Sequence, residues 1–326
     1  MTNENNLKLD ERQIRKGRPI GLPYQGSKKK ISKKIIEIIK QNFDTNKTIY
    51  DIFGGGGAIT AECLINGLEV HYNDLDNTIT DMFQRVLSTD REFLKTLIVS
   101  RDDFFKIRDK ETKTVDDNLK LLVNSFGNNR INYLYNKDIS DIKHNLAKEI
   151  IKKHDTFTGY RKTETYIKAI NDFKNKSYQK TRLQQLERLQ NLQQLQALQL
   201  LERLQQLQRI HQLERLQKVS IENLEITNHD YKHFSYLTNT IIYLDPPYEN
   251  THLKGYSIDT FDSQAFYDWA YNMSKNNTVL ISSYEISDER FESVFEFKKA
   301  RSTFAPTSAG NRTEKLFMAK QWTYWH

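Results

Sequence analysis

The chain contains Asp245-Pro246-Pro247-Tyr248 directly after the apolar run Thr240-Ile241-Ile242-Tyr243-Leu244. A short β-branched and aromatic run, stopped by a carboxylate and two prolines, predicts a buried parallel strand that ends at a rigid turn. In open α/β sheets, ligands bind beyond the carboxyl ends of the strands. A carboxylate, a fixed carbonyl and an aromatic ring are therefore offered together. The Asp245 side chain and the Pro246 carbonyl can accept the two hydrogens of an exocyclic amino group. The Tyr248 ring can stack on the flat base that carries it, and Pro247 keeps the turn rigid. For these four residues alone, the alternative is a plain strand-to-loop turn.

A second constellation lies near the start. Gly54-Gly55-Gly56-Gly57 follows the strand-like run Thr48 to Phe53 and precedes a helix over Ala58 to Asn66, with Gly67 placed to stop it. Backbone N–H groups at such a helix start point outward, and glycines permit close approach. About twenty residues further on, Asp74 ends a second strand over Leu68 to Tyr72, at the spacing where an acid binds ribose hydroxyls in dinucleotide-type folds. The loop departs from G-x-G-x-x-G, and no Gly-Lys-Ser/Thr follows, so it is not a P-loop. Loop plus acid predicts a nucleoside-containing cofactor; a tight turn with a surface Asp is the alternative. No metal is expected, since His229 and His233 lack a third ligand.

The elements that must position these groups come next. The chain has 326 residues, 37% of them hydrophobic, and the 17 Tyr and 17 Phe suffice for a sizeable core. Cys63 is the only cysteine, which fits a reducing cytosol, and no apolar run spans a membrane or heads a signal peptide. The net charge is +7; residues 1–40 hold eleven Lys/Arg against four Asp/Glu, so this segment carries the whole excess. A local basic excess points to a polyanionic partner, or else to a solvated lysine-rich helix face.

Residues 1–18 read as a basic mobile arm. Residues 19–85 hold the glycine loop, preceded by Pro23-Tyr24-Gln25-Gly26-Ser27-Lys28 and an amphipathic helix through Ile31, Ile35, Ile38 and Ile39, with Ser27 as N-cap. Residues 86–180 are mostly helical, broken by a loop or hairpin at Asn124 to Arg130. Residues 220–326 return to α/β character. Strands are expected over Ile221 to Ile226, Thr240 to Leu244 and Thr278 to Ser282, and a helix over Asp262 to Lys275. An antiparallel pair follows within Phe291 to Lys320, around a loop at Thr303 to Arg312.

Between them, residues 181–219 form a Leu/Gln-rich repeat with an apolar residue at every third position from Leu183 to Val219. At about 3.6 residues per turn, steps of three slip by about 60°, so the leucines spiral round a helix and form no single stripe. This excludes a heptad coiled coil and favours one or two helices packed on neighbours, with a solenoid as alternative.

Four motifs together resemble a known family. Pro23 to Lys28, Asp51-Ile52-Phe53-Gly54-Gly55-Gly56, Asn73-Asp74 and Asp245 to Tyr248, in this order, are similar to those of Dam-type DNA adenine-N6 methyltransferases. The resemblance covers about residues 19–175 and 218–326. It implies an α/β fold with the seven-stranded methyltransferase sheet, an inserted, mostly helical target-recognition region, and S-adenosylmethionine as methyl donor. Tyr24, Lys28, Phe53, Gly54, Gly56, Asp74, Asp230, Tyr231 and Asp245 fall at cofactor-contacting positions, with Tyr231 a departure from the family's Phe. Asp245, Pro246, Pro247 and Tyr248 fall at the catalytic motif. Ser125 to Arg130 lies where the family reads double-stranded DNA, which makes Asn128, Asn129 and Arg130 candidates for that role beside Lys29 and Lys30. The implied reaction is methylation of a flipped adenine, with GATC the default site, in the cytoplasm of a bacterium or of a phage's host. Competing readings are a catalytically inactive DNA-binding relative, methylation of cytosine N4, and a scaffold built on the repeat.

Overall fold

The computed structural model describes residues 6–24, 26–181, 203–248, 261–297 and 313–320. The chain divides into two compact units. The first comprises Met1–Leu22, Gly26–Gln84 and Val219–His326; the second comprises Pro23–Gln25 and Arg85–Lys218.

The first unit is built on a seven-stranded sheet. Its strands are β1 (Ile49–Asp51), β2 (Val70–Asn73), β3 (Leu224–Thr227), β4 (Ile241–Leu244), β5 (Thr278–Ser283), β6 (Phe291–Glu296) and β7 (Lys315–Ala319). They lie in the order β3-β2-β1-β4-β5-β7-β6. Pairings from β3 through to β5 are parallel, while β7 runs antiparallel to both β5 and β6. The fold is thus mixed α/β, with a mostly parallel sheet closed by an antiparallel hairpin. The order reverses between β1 and β4, and the carboxyl ends of strands at such a reversal open the crevice where ligands bind.

Strand β4 shows why this sheet is central. All four of its residues are buried. Ile241 and Tyr243 face one core with α1 (Ser32–Asn42) and α2 (Ala58–Ile65). Ile242 and Leu244 face a second core, which includes Phe266, Trp269 and Ala270 of the helix at Ser263–Ser274. A strand covered on both faces needs a continuous apolar run, which is what its sequence provides.

Three expectations are corrected. Ser27 does not cap α1: a 3₁₀ turn at Lys28–Lys30 intervenes, the helix starts at Ser32, and the Ser27 hydroxyl makes no capping bond. Residues 6–18 do not behave as an arm. Leu7 N–H donates to the Val294 carbonyl at 2.9 Å, and Arg15 pairs with the fully buried Glu62 at 2.6 Å. Polar composition hid these long-range partners. The expected strand at Ile221 to Ile226 is shorter and later, Leu224–Thr227.

The second unit is helical. It contains α4 (Arg91–Thr96), α5 (Arg101–Arg108), α6 (Val115–Asn124), α7 (Lys137–His154), α8 (Glu164–Thr181) and α9 (Gln205–Gln217); the helix at Ser263–Ser274 is α10, and α3 (Asn77–Leu87) joins the two units in sequence. Between α6 and α7 a small hairpin forms: Ser125 and Tyr133 make an antiparallel bridge, and Phe126 N–H donates to the Asn132 carbonyl at 2.7 Å. Its tip turns sharply, with positive φ at Gly127, Asn128 and Arg130.

Most of the Leu/Gln repeat, at residues 182–202, and the loop at Thr303 to Arg312 lie outside the described residues. The end of the repeat is α9, where Leu204, Leu207, Ile210, Leu213 and Leu216 are all fully buried. Leucines that spiral round a helix can all be buried only if neighbours cover most of its circumference.

Candidate active site

The carboxyl end of β1 places Asp51 on the sheet's upper rim. It is buried, and its Oδ2 accepts from Thr60 N–H at 3.2 Å and the Thr60 hydroxyl at 2.6 Å. The strand end is thereby tied to the first turn of α2. Burial pushes the Asp51 carboxyl up to about 7, against the pull of those two bonds.

The glycine loop is set by packing. Gly57 enters α2 at φ +65°, and a Cβ there would lie 2.2 Å from the Phe83 ring. At Gly54 a Cβ would lie 2.3 Å from Tyr72. The loop therefore fits tightly on β2 and α3. Gly55 N–H donates to Asp74 Oδ2 at 2.8 Å, and Asp76 N–H donates to Asp74 Oδ1 at 2.9 Å. Burial raises the Asp74 carboxyl to about 6, in spite of these donors. Gly56 accepts at its carbonyl from Leu22 N–H at 2.8 Å.

Asn73 binds three strand ends together. Its amide donates to the carbonyls of Ile52 and His229, and its oxygen accepts from the Thr227 hydroxyl and His229 N–H. Beside it, the Asp230 carboxylate accepts from Lys232 N–H and so starts the 3₁₀ turn that carries Tyr231. The rings of Phe53 and Tyr231 lie 6.0 Å apart at 30°, and Trp269 meets Tyr231 edge-on at 5.0 Å.

Asp245 follows β4 immediately. Its Oδ1 is 2.6 Å from Lys28 Nζ, and that ammonium is also 3.3 Å from Glu314 Oε1. Lys28 further donates to the Tyr248 hydroxyl. The Tyr248 hydroxyl donates to Glu314 at 2.9 Å, and the Ser282 hydroxyl reaches the same oxygen at 2.8 Å. Burial raises the Asp245 carboxyl to about 6, although Lys28 pulls it down. Burial works against the Lys28 charge too, but Asp245 and Glu314 outweigh it and hold the ammonium above its usual range. Burial also drives the Tyr248 phenol upward, so it stays a donor.

Lys28, Phe53, Gly54, Gly56, Asp74, Asp230, Tyr231 and Asp245 through Tyr248 thus all lie in the first unit, most at strand ends. Tyr24 is half-buried within Pro23–Gln25, which groups with the second unit. Lys29 and Lys30 sit on the 3₁₀ turn after Ser27. Asn128, Asn129 and Arg130 form the hairpin tip of the second unit, with Phe126 and Ile131 exposed on either side. Asn129 Oδ1 accepts from the N–H groups of Ile131 and Asn132, so it shapes the turn.

Sequence reasoning missed Glu314 and Ser282. An acid one residue before an alternating strand gives no local hint; only the antiparallel register, with Ser283 opposite Lys315, brings the pair to the site. Among the described residues no cluster of His, Cys, Asp or Glu could hold a metal ion, and no helix is long and apolar enough to cross a membrane.

No curated protein matches the chain. The sequence model of one family, described as D12 class N6 adenine-specific DNA methyltransferase, matches residues 24–305.

Proposed function

The chain belongs to the D12 class of N6 adenine-specific DNA methyltransferases, and from that premise we propose how its own groups bind and orient the two substrates. S-adenosylmethionine, which the family uses, supplies a methyl group carried on a positively charged sulfur. The donor set suits a cation. Asp74 and Asp245 raise the Asp51 carboxyl, Asp74 and Glu314 raise that of Asp245, and the Lys28 ammonium pairs with Asp245 and Glu314. Asp74, aimed by two backbone N–H groups, keeps lone pairs for ribose hydroxyls. Gly54 and Gly56 bring backbone close to the cofactor, Tyr24 and Lys28 contact it, and Phe53 and Tyr231 form its aromatic wall. Asp230 acts through Tyr231, by starting the turn that presents the ring.

The observation that carries the reading is Asp245 at the end of a central strand, with an acceptor oxygen aimed at a cationic N–H donor. A base within a duplex hides its amino group, so the adenine must leave the stack. Its amino hydrogens then bond Asp245 and the Pro246 carbonyl, while Lys28 moves to Glu314, which it already touches. Acceptors aimed at the attacking nitrogen stabilise the charge that develops there. Pro246 and Pro247 hold that geometry, and Glu314 fixes the Tyr248 ring for stacking by accepting from its hydroxyl. Lys29 and Lys30 contact phosphates, and Asn128, Asn129 and Arg130 read bases in duplex DNA, with GATC as the site to test first. The reaction takes place in the cytoplasm.

Asp245→Ala should slow methylation by roughly 10²–10³ while the variant still binds S-adenosylmethionine. Mass spectrometry of nucleosides from treated DNA measures this. A variant that keeps wild-type turnover would remove Asp245 from the chemistry.

A further inference from the structure

The end of the Leu/Gln repeat is more than packing. Arg209, on α9, is half-buried, and its Nη1 lies 3.2 Å from the Leu122 carbonyl, 2.8 Å from Val123 and 2.6 Å from Ser125. These are the last carbonyls of α6 and the first of the hairpin. Helix-terminal carbonyls lack intrahelical partners and carry partial negative charge, so a cation is the natural cap. Burial lowers the guanidinium to about 10, still well above neutral pH, so the cap stays charged.

One turn earlier, Gln206 is fully buried. Its amide donates to Asn124 Oδ1 at 2.6 Å and to the Tyr133 hydroxyl at 3.2 Å. Asn124 precedes the hairpin, and Tyr133 closes it by pairing with Ser125. Both stems of the hairpin are therefore fastened to one helix.

The repeat itself marks Arg209 as special. Leu192 to Arg203 aligns without gaps on Leu204 to Arg215, and the two blocks differ at only four positions. One of these puts Ala197 opposite Arg209. Gln194 matches Gln206, so the preceding block could supply the leucines and the glutamine, yet not the charged cap.

We propose that Arg209 is a positioning residue for sequence recognition: it clamps the end of α6 and so sets the angle at which the Ser125–Arg130 tip meets DNA. This rests on reading that tip as the DNA-reading element. Strained turns hold their form only when their surroundings over-determine them. Three of the four positions from Gly127 to Arg130 hold positive φ and need such support at their base.

The test maps methylated adenines on plasmid DNA for the full-length protein and its variants. Arg209→Ala should lose at least tenfold in preference for its own site over sites one base away, with S-adenosylmethionine affinity unchanged. Arg209→Lys, whose ammonium can reach the same carbonyls, should restore it. Two deletions keep the test alive should Arg209→Ala fail to fold. Removing 192–203 retains Arg209, whereas removing 204–215 brings Ala197 into its place; the products have equal length and differ at only those four positions. The first should keep site preference and the second should lose it. Unchanged preference in Arg209→Ala, beside altered preference in Arg130→Ala, overturns the clamp and spares the reading of the tip. Unchanged preference in both overturns the reading, and the clamp with it.

Discussion

Three carboxylates at the strand ends, Asp51, Asp74 and Asp245, are all displaced upward by burial, to about 7, 6 and 6. Asp245 is the stronger acceptor for the amino group, and the better stabiliser of positive charge growing on its nitrogen, when ionised. Turnover should therefore fall as pH drops through about 6, and not near 4 where an ordinary carboxylate titrates. A rate profile still flat at pH 5 would contradict this. Their contribution to stability should move the other way. Between about pH 4 and 7 these three carboxyls hold protons in the folded state that they lose on unfolding, so their contribution to stability falls as pH rises, while His71 and His144, which burial holds below their usual range, work in the opposite direction. Thermal melts across that range measure the slope, and Asp51→Asn should remove part of it. At Asp74, the ribose-binding role predicts that Asp74→Ala weakens S-adenosylmethionine binding by about 2–4 kcal/mol. Calorimetry that finds equal affinity would take Asp74 out of the cofactor site.

Among the elements, the loop between β1 and α2 is the most tightly specified. Gly57 holds a left-handed conformation with the Phe83 ring where a side chain would go. Gly57→Ala combines the left-handed penalty with overpacking, so a loss of about 2–4 kcal/mol is expected. Denaturant titration checks it, and a change under about 0.5 kcal/mol would mean that the loop relaxes without cost. Helix α9 shows the opposite relation between sequence and role. Its leucines and Gln206 recur in the preceding block, while Arg209, which reaches three carbonyls, has Ala197 as its counterpart there.

At the scale of the whole molecule, the basic excess of the first forty residues is not all available to DNA. Arg15 is committed to Glu62, Lys33 donates to the Gly17 carbonyl and Lys34 pairs with Glu11. Truncating residues 1–18 would leave Glu62 buried without its partner, so it would confound a binding test with instability. Lys29→Gln with Lys30→Gln is the cleaner probe. If both lysines neutralise phosphates, the slope of log affinity against log salt should flatten by about 2. Identical slopes for variant and wild type would place the phosphate contacts elsewhere.

The sequence by itself determined the strand-ending Asp245 motif, the glycine loop with its acid about twenty residues on, the helices flanking them, and the order of the motifs. These are local: an apolar run, a proline pair or a glycine at positive φ is decided by a few adjacent residues. What it left open was long-range. Glu314 reaches Tyr248, and Ser282 reaches Glu314, only through antiparallel pairing of β5 with β7. Lys28 is far from Asp245 in the chain, and the two meet only once the sheet is assembled. The polar segment at residues 6–18 looked like an arm because its partners, Glu62 and Val294, lie far along the chain. A period-three leucine pattern likewise cannot say which side of its helix is covered. In α9, tertiary structure decided that Leu207, Ile210, Leu213 and Leu216 are all covered, since burial depends on the neighbours that surround a helix and not on the spacing of its own residues.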